Sequence, residues 1–491
     1  MGMEFLRGHG VVKRHVRRGA AMGLLCALLA TGCVSAFPYH VPKAGPETTC
    51  IAPAPDRDLL VGVALSGGGS RAALFGAAGL EALGRVRAPE GGSVLEQVDY
   101  ISSVSGGSIA AAYYASQKPP RETPVLMPDG ALTTDYQAFF SRFKEGVEQD
   151  IESALIWRQI GSFRWLLNSS LAARSLAEIL NERLLGPTTF ADLAQREARG
   201  DSPRLMLNTT LYNNGRRLVL TTLPPDAGHY DFFQELREAM ARRGKTADYP
   251  PILKKRWESV LAITPLDLGI DPCPIKLAGG VAASASFPPL VGPISFKVGE
   301  EERYFHIGDG GLYDNTGIES LFFVFLKQLQ EQKARRALII VFDSSYPFSV
   351  GERRLSLRVE PWKLLTYDFS RIPGIMEERA TAYAALFFRS MQIEGVFPDN
   401  QTLHVVILRH TNARWKDDLS DLPEACRNEV PPLDSPTAVV ERIAEIPTRF
   451  WLASECNRQL LITAAAKVVA QNQQEIEDFL AGRPTPEHTA Q

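Results

Sequence analysis

Leu59-Leu60-Val61-Gly62-Val63-Ala64-Leu65-Ser66-Gly67-Gly68-Gly69-Ser70-Arg71 is the stretch on which the fold turns. Its first seven residues form an unbroken apolar run, the pattern of a strand buried on both faces, as in sheets covered by helices on either side. The run feeds into three glycines, and an alanine-rich helix is expected to begin near Ala72. Successive glycines let backbone amides turn toward one point at a helix N-terminus. Such a nest binds negative charge, whether a phosphate or the oxyanion of a tetrahedral intermediate. No Gly-Lys-Ser/Thr follows, so this is not a P-loop, and the Gly-x-Gly-x-x-Gly dinucleotide fingerprint is incomplete. Gly76 and Gly79 fall inside the helix and suit close packing on the sheet. Arg71 beside the nest is suited either to steering an anionic head group or to a salt bridge that holds the loop.

A second strand-to-helix turn follows. Val98, Tyr100, Ile101 and Val104 suit a strand, and Ile109 to Ala115 reads as a helix start, so Ser105 in Ser103-Val104-Ser105-Gly106-Gly107 sits on the bend between them. A serine held there is exposed as a nucleophile, and the glycines after it leave room for helix packing and for substrate. Ser103 stands where the nucleophile-elbow pattern has its first glycine. Taken alone, the stretch also reads as an ordinary loop.

A base is sought next. Arg303 to Ile307 reads as a strand, and Asp309 follows at its end before Gly310 and Gly311. An aspartate near its ordinary pKa of ~3.9 is a weak base, so the site needs burial or a shared hydrogen bond to raise its proton affinity. No histidine lies in a triad-like or metal-ligand pattern. His306 is three residues before Asp309, which puts it on the opposite face of a strand and in a structural role. Asp343, ending Leu338 to Phe342, is a rival acid by position but lacks flanking glycines.

Gly67-Gly68-Gly69-Ser70-Arg71, Val104-Ser105-Gly106-Gly107 and Asp309-Gly310-Gly311 together resemble the patatin-like phospholipases, with Ser66 to Ala72 closer to the cytosolic phospholipase A branch. Ala282-Ala283-Ser284-Ala285-Ser286-Phe287-Pro288-Pro289 resembles the family's helix end before the aspartate strand, and Gly311 to Asn315 its continuation. The resemblance implies a three-layer α/β/α sandwich with a central, mostly parallel sheet. It implies a serine esterase or phospholipase with a Ser105-Asp309 dyad, an acyl-enzyme, an oxyanion hole of Gly67, Gly68 and Gly69, and neither cofactor nor metal. The alternatives from other classes are a catalytically weak lipid-binding scaffold of the envelope and an acyltransferase on the same fold.

The N-terminus points to a membrane address. Arg7, Lys13, Arg14, Arg17 and Arg18 precede an apolar stretch too short for an ordinary span, which fits a signal h-region. Ala30-Thr31-Gly32-Cys33 resembles a bacterial lipobox in which Cys33 is lipidated and becomes the new N-terminus; a plain secretory signal is the other reading. Several acyl chains on Cys33 make a stable anchor. Val34, in place of a retention aspartate, favours the outer membrane of a Gram-negative envelope.

The chain carries 53 Lys+Arg against 56 Asp+Glu; residues 1–32 hold five basic residues and one acidic, so the mature chain has 48 against 55. With that mild acidity and no basic patch interleaved with aromatics, nothing favours nucleic acid and no such partner is expected. Cys50, Cys273, Cys426 and Cys456 are an even set suited to an oxidising compartment, and the pairing of Cys426 with Cys456 is favoured because both lie in the C-terminal part.

The organisation expected is a signal segment over 1–32, a Pro-rich tether over 33–57, a catalytic domain over 58–410 and a mainly helical extension over 411–491, with a long helix from Thr448 to Leu480. Within the catalytic domain, an insertion at about 121–200 carries Leu155, Ile156, Trp157, Ile160, Phe163, Trp165, Leu166 and Leu167. It reads either as a lipid-touching lid or as a helical pair packed on the core.

Overall fold

The computed structural model describes residues 38–52, 57–162, 170–246, 248–288, 291–345, 382, 386 and 401–483. The signal segment, Cys33, and Phe163, Trp165, Leu166 and Leu167 lie outside the described residues.

Among the described residues, nine strands form one sheet: β1 (Tyr39–Val41), β2 (Leu59–Leu65), β3 (Tyr100–Val104), β4 (Arg204–Leu211), β5 (Arg216–Thr221), β6 (Ile294–Val298), β7 (Tyr304–Asp309), β8 (Arg336–Asp343) and β9 (Thr402–Arg409). Their order is β1-β6-β7-β4-β3-β2-β8-β9, with β5 paired to β4 off that path. β4, β3, β2, β8 and β9 are mutually parallel, whereas β7 runs antiparallel to both β4 and β6. Among the described residues, twelve α-helices accompany the sheet: α1 (Gly69–Gly84), α2 (Gly106–Gln117), α3 (Thr134–Val147), α4 (Ile151–Gly161), α5 (Ser170–Leu180), α6 (Phe190–Arg199), α7 (Phe232–Arg242), α8 (Pro251–Val260), α9 (Leu277–Ser284), α10 (Ile318–Gln330), α11 (Pro436–Ala444) and α12 (Glu455–Leu480).

The period of two in the central strands divides the core. On one face Val61, Val63 and Leu65 of β2 and Leu338, Ile340 and Phe342 of β8 join α1, α2 and α12. On the other, Leu60 and Ala64 with Ala337, Ile339 and Val341 pack against Leu321, Phe325 and Leu329 of α10. Strands with both faces apolar can only be stable between two helical layers, which is why the run at 59–65 reads without polar alternation. α1 lies close on the sheet: a side chain at Gly79 would run into the Phe342 ring.

Two expectations are corrected. The stretch 38–52 is not a free tether, because β1 pairs with β6 and Cys50 is joined to Cys273. The apolar Val41 is buried by that pairing, so the chain is fastened well before residue 57. The final helix begins at Glu455 with Ser454 as its cap, not at Thr448. The C-terminal segment is helical, as expected, and packs on the core of the sheet. Leu460, Leu461, Ala465, Val468 and Ile476 of α12 belong to the same core cluster as Leu74 and Leu83 of α1. Full burial of each larger apolar side chain contributes about 1.5–3 kcal/mol.

Cys426 is joined to Cys456, as favoured, and both disulfides are present together. Among the described residues, no helix is long and apolar enough to cross a membrane.

Candidate active site

Ser105 caps the N-terminus of α2 directly after β3 and has φ 51° and ψ −119°. A positive φ is uncommon for a residue with a side chain, and such strain persists only where the surroundings over-determine it. Two close approaches do so here. A Cβ on Gly106 would strike the Gly69 carbonyl, and one on Gly107 would press on the Leu65 and Ser66 carbonyls. Glycines after Ser105 are therefore required for the turn to nest against the end of β2.

Asp309 reaches Ser105 through strand register. Val104 pairs with Asn208 on β4, and the next residue, Thr209, pairs with Asp309 on β7. Asp309 is thereby level with Ser105 across one intervening strand, roughly 10 Å between backbones, a gap narrowed by the bend and by two inward side chains. Burial pushes the Asp309 carboxyl up to about 7, while the Gly311 amide and the Ser105 hydroxyl pull it partly back. Oδ1 accepts from Gly311 N–H at 2.7 Å. Oδ2 is buried without a partner of hydrogen-bond geometry among the described residues. The Ser105 hydroxyl is the side chain whose hydrogen-bonding influence reaches the Asp309 carboxyl.

The glycine nest is partly spent. Gly67 N–H donates to the Asn315 carbonyl at 2.8 Å, which corrects its expected place among the oxyanion donors. Gly68 and Gly69 make no amide hydrogen bond among the described residues. Gly69 already begins α1, with φ +60°, so the helix starts three residues before the predicted Ala72.

Arg71 is corrected too. It is 1% exposed, and Nε donates to the Ser344 carbonyl at 2.9 Å while Nη1 donates to the Ile446 carbonyl at 2.7 Å. A guanidinium enclosed in this way fastens the end of β8 to the C-terminal chain and is not placed to meet a head group. Ser70 N–H donates to the Arg449 carbonyl at 2.6 Å. Glu152 of α4 in turn accepts from Phe450 N–H at 3.2 Å and lies 3.7 Å from the Arg449 guanidinium. Sequence reading missed this strap, since nothing local in residues 446–450 marks it.

The rival groups are otherwise engaged. Asp343 accepts from Arg409 Nε at 2.8 Å and from Ser345 N–H at 2.9 Å, and lies below the ordinary carboxylate range even though burial alone would raise it. His306 Nδ1 shares a hydrogen bond with Ser295 Oγ at 2.8 Å. His410 is buried and pushed down to about 3 by desolvation, with the nearby Arg71 charge adding to the shift. Cys50, Asp271 and Cys273 cluster as metal ligands do, but both sulfurs are held in a disulfide. Cavities of about 500 Å³, lined by Asp150, Trp157 and Arg183, and about 440 Å³, lined by Tyr39, Arg174 and Phe296, include neither Ser105 nor Asp309.

A sequence model described as patatin-like phospholipase matches residues 63–322, more than half of the chain. The chain belongs to the patatin-like phospholipase family. The matched span contains Ser105, Asp309 and the glycine nest. No curated protein matches the sequence. Among solved structures, human GIVD cytosolic phospholipase A2 is similar with a TM-score of 0.45 and 12% identity, over 86% of this chain and 60% of that one. The same human protein in complex with methyl gamma-linolenyl fluorophosphonate has a TM-score of 0.40 and 15% identity, over 87% and 60%. This chain therefore spans about 60% of the length of the human protein.

Proposed function

We propose that this family member is a serine esterase or phospholipase that cleaves acyl esters of phospholipids or lysophospholipids through a Ser105-Asp309 dyad. The observation that carries the reading is the buried Asp309 carboxyl, level with Ser105 and poised near pH 7. An aspartate of ordinary acidity would take a serine proton poorly; one at about 7 is matched to the task.

Ser105 Oγ attacks the ester carbonyl carbon as its proton passes to Asp309. The carbonyl π electrons move to oxygen, and the amides of Gly68 and Gly69 are the donors left for that oxyanion, each typically contributing a few kcal/mol. Collapse breaks the bond to the leaving alcohol, whose oxygen takes the proton from Asp309, and the acyl group remains on Ser105. Water then attacks, gives its proton to Asp309, and the fatty acid leaves as the proton returns to Ser105.

The substrate reading is supported by an apolar edge on α4, where Trp157 is 71% exposed and Ile156 and Ile160 are exposed beside it. Leu155 of the same helix is buried, so the segment is packed on the core along one face and offers the other to lipid. We further propose that Cys33 carries the anchor and that the protein sits on the outer membrane. With β1 beginning at Tyr39, such an anchor holds the domain on a short leash of about five residues.

The test is hydrolysis of a panel of acyl esters and phospholipids by the mature chain, with fluorophosphonate labelling. Ser105→Ala is expected to abolish both readouts, and Asp309→Asn to lower turnover by at least about 100-fold. Wild-type activity in both variants would reject the dyad. Membrane retention of Cys33→Ser would reject the anchor.

A further inference from the structure

The nucleophile's own amide is turned away from substrate. Ser105 N–H donates to Ser284 Oγ at 3.0 Å, and Ser284 is the fully buried last residue of α9. A serine hydroxyl has one proton. That of Ser284 goes to the Asn208 carbonyl at 2.6 Å, which can only accept. Ser284 must therefore accept from both the Ser105 amide and the Ser108 hydroxyl, the latter at 2.8 Å.

The rest of the network is ordered in the same way. Asn208 Nδ2 donates to Ser102 Oγ at 2.8 Å and to the Ser103 carbonyl at 2.9 Å, and Oδ1 accepts from Ser320. Ser102 gives its proton to the Gly317 carbonyl at 2.6 Å. Only Ser103 has two destinations, Ser108 Oγ at 3.1 Å and the Met206 carbonyl at 3.4 Å. The hydroxyl that departs from the usual glycine of the elbow is thus a member of this network. The same turn also holds the base, since Asp309 N–H donates to the Ser286 carbonyl at 3.1 Å.

We infer that Ser284 is a positioning residue for the nucleophile, holding Ser105 in its strained conformation by accepting its amide, while the Ser286 carbonyl two residues on fixes the Asp309 backbone. The inference rests on the dyad reading above. One segment, Ser284–Ser286, sets the separation of the two reacting groups. Without the Ser284 oxygen the Ser105 amide is buried unpaired, and the positive-φ turn loses the partner that selects it.

The experiment uses the full mature chain and a short-chain p-nitrophenyl ester, with rates normalised to fluorophosphonate-labelled sites. Ser284→Ala is expected to lower kcat by about 10- to 100-fold and to change KM by less than about threefold, because misplacing a reacting group costs the transition state more than binding. Ser320→Ala removes a buried hydrogen bond at the far end of the network. Like Ser284→Ala, it is expected to lower Tm by a few degrees, but to keep kcat within about threefold. Should Ser284→Ala not fold, Ser284→Cys, which keeps the shape of the side chain with a slightly larger, weakly accepting atom, is held to the same expectation.

The positioning role is overturned if the folded Ser284 variant keeps kcat within about threefold of wild type, or if Ser320→Ala loses as much kcat as it does. Ser105→Ala and Asp309→Asn separate the two readings. Activity surviving in Ser105→Ala rejects the dyad itself, whereas two inactive dyad variants beside a fully active Ser284→Ala reject only the positioning role.

Discussion

Ser70 donates its backbone amide to the Arg449 carbonyl at 2.6 Å, so a residue far beyond the family-matched span of 63–322 closes the first turn of the helix that follows the glycine nest. A Cβ on Gly69 would strike that same carbonyl, and Gly69 has φ +60°. Gly69→Ala is therefore expected to push the strap off the nest. Ester hydrolysis should fall at least about 100-fold, with circular dichroism reporting a folded but less stable chain. Unchanged turnover would mean that the strap does not hold the nest.

The strap lies within the loop closed by Cys426 and Cys456, which are 30 residues apart. Replacing both cysteines by serine is expected to cost about 2–4 kcal/mol, chiefly by freeing the unfolded chain. Urea unfolding measures the cost, and a midpoint equal to wild type would refute it.

The raised Asp309 pKa gives two pH dependences of opposite benefit. As a base Asp309 must be unprotonated, so kcat/KM is expected to rise with pH through about 7 and then level. For stability, the folded carboxyl holds its proton up to about 7 while the unfolded one releases it near 3.8. The folded state binds more protons between those values, so this group favours folding at low pH and progressively less as pH rises. Asp309→Asn, which carries no charge to bury, is expected to be inactive and to have a Tm a few degrees above wild type at pH 8. A Tm below wild type at pH 8 would contradict the assigned cause.

Arg71 spans Ser344 and Ile446 from a buried position. Arg71→Ala is expected to destabilise the fold by about 3–5 kcal/mol, since two carbonyls lose a charged donor and a large side chain leaves a gap. The ratio of rates on anionic and zwitterionic vesicles should stay within about twofold of wild type. A selective loss on anionic vesicles would restore the head-group role.

Much of this was legible in residue order. The unbroken run at 59–65 announced a strand covered on both sides, and the bend at Ser105 followed from β-branched residues giving way to Gly-Gly and alanines. Both signals are local, because strand, turn and helix propensity act over a few residues. The tether at 38–52 failed as a local reading: its prolines suit an extended chain, and an extended chain is also what pairs as β1 when a sheet edge and a cysteine partner await it. Gly67 failed for a similar reason, since its amide is taken by Asn315, almost 250 residues away.

The residue types of the site, serine on a glycine-flanked bend and aspartate before two glycines, were determined by the sequence itself, because only those types permit such turns with reactive side chains. The proton affinity of Asp309 and its place beside Ser105 were decided by the tertiary structure. Its antiparallel strand brings it level with Ser105, and burial raises its proton affinity. The backbone of both groups is likewise held from afar, by Ser284 and Ser286 at one helix end, as the nest is held by Arg449. Proton affinity and orientation depend on what surrounds a group in space, and chain order states only its neighbours along the backbone.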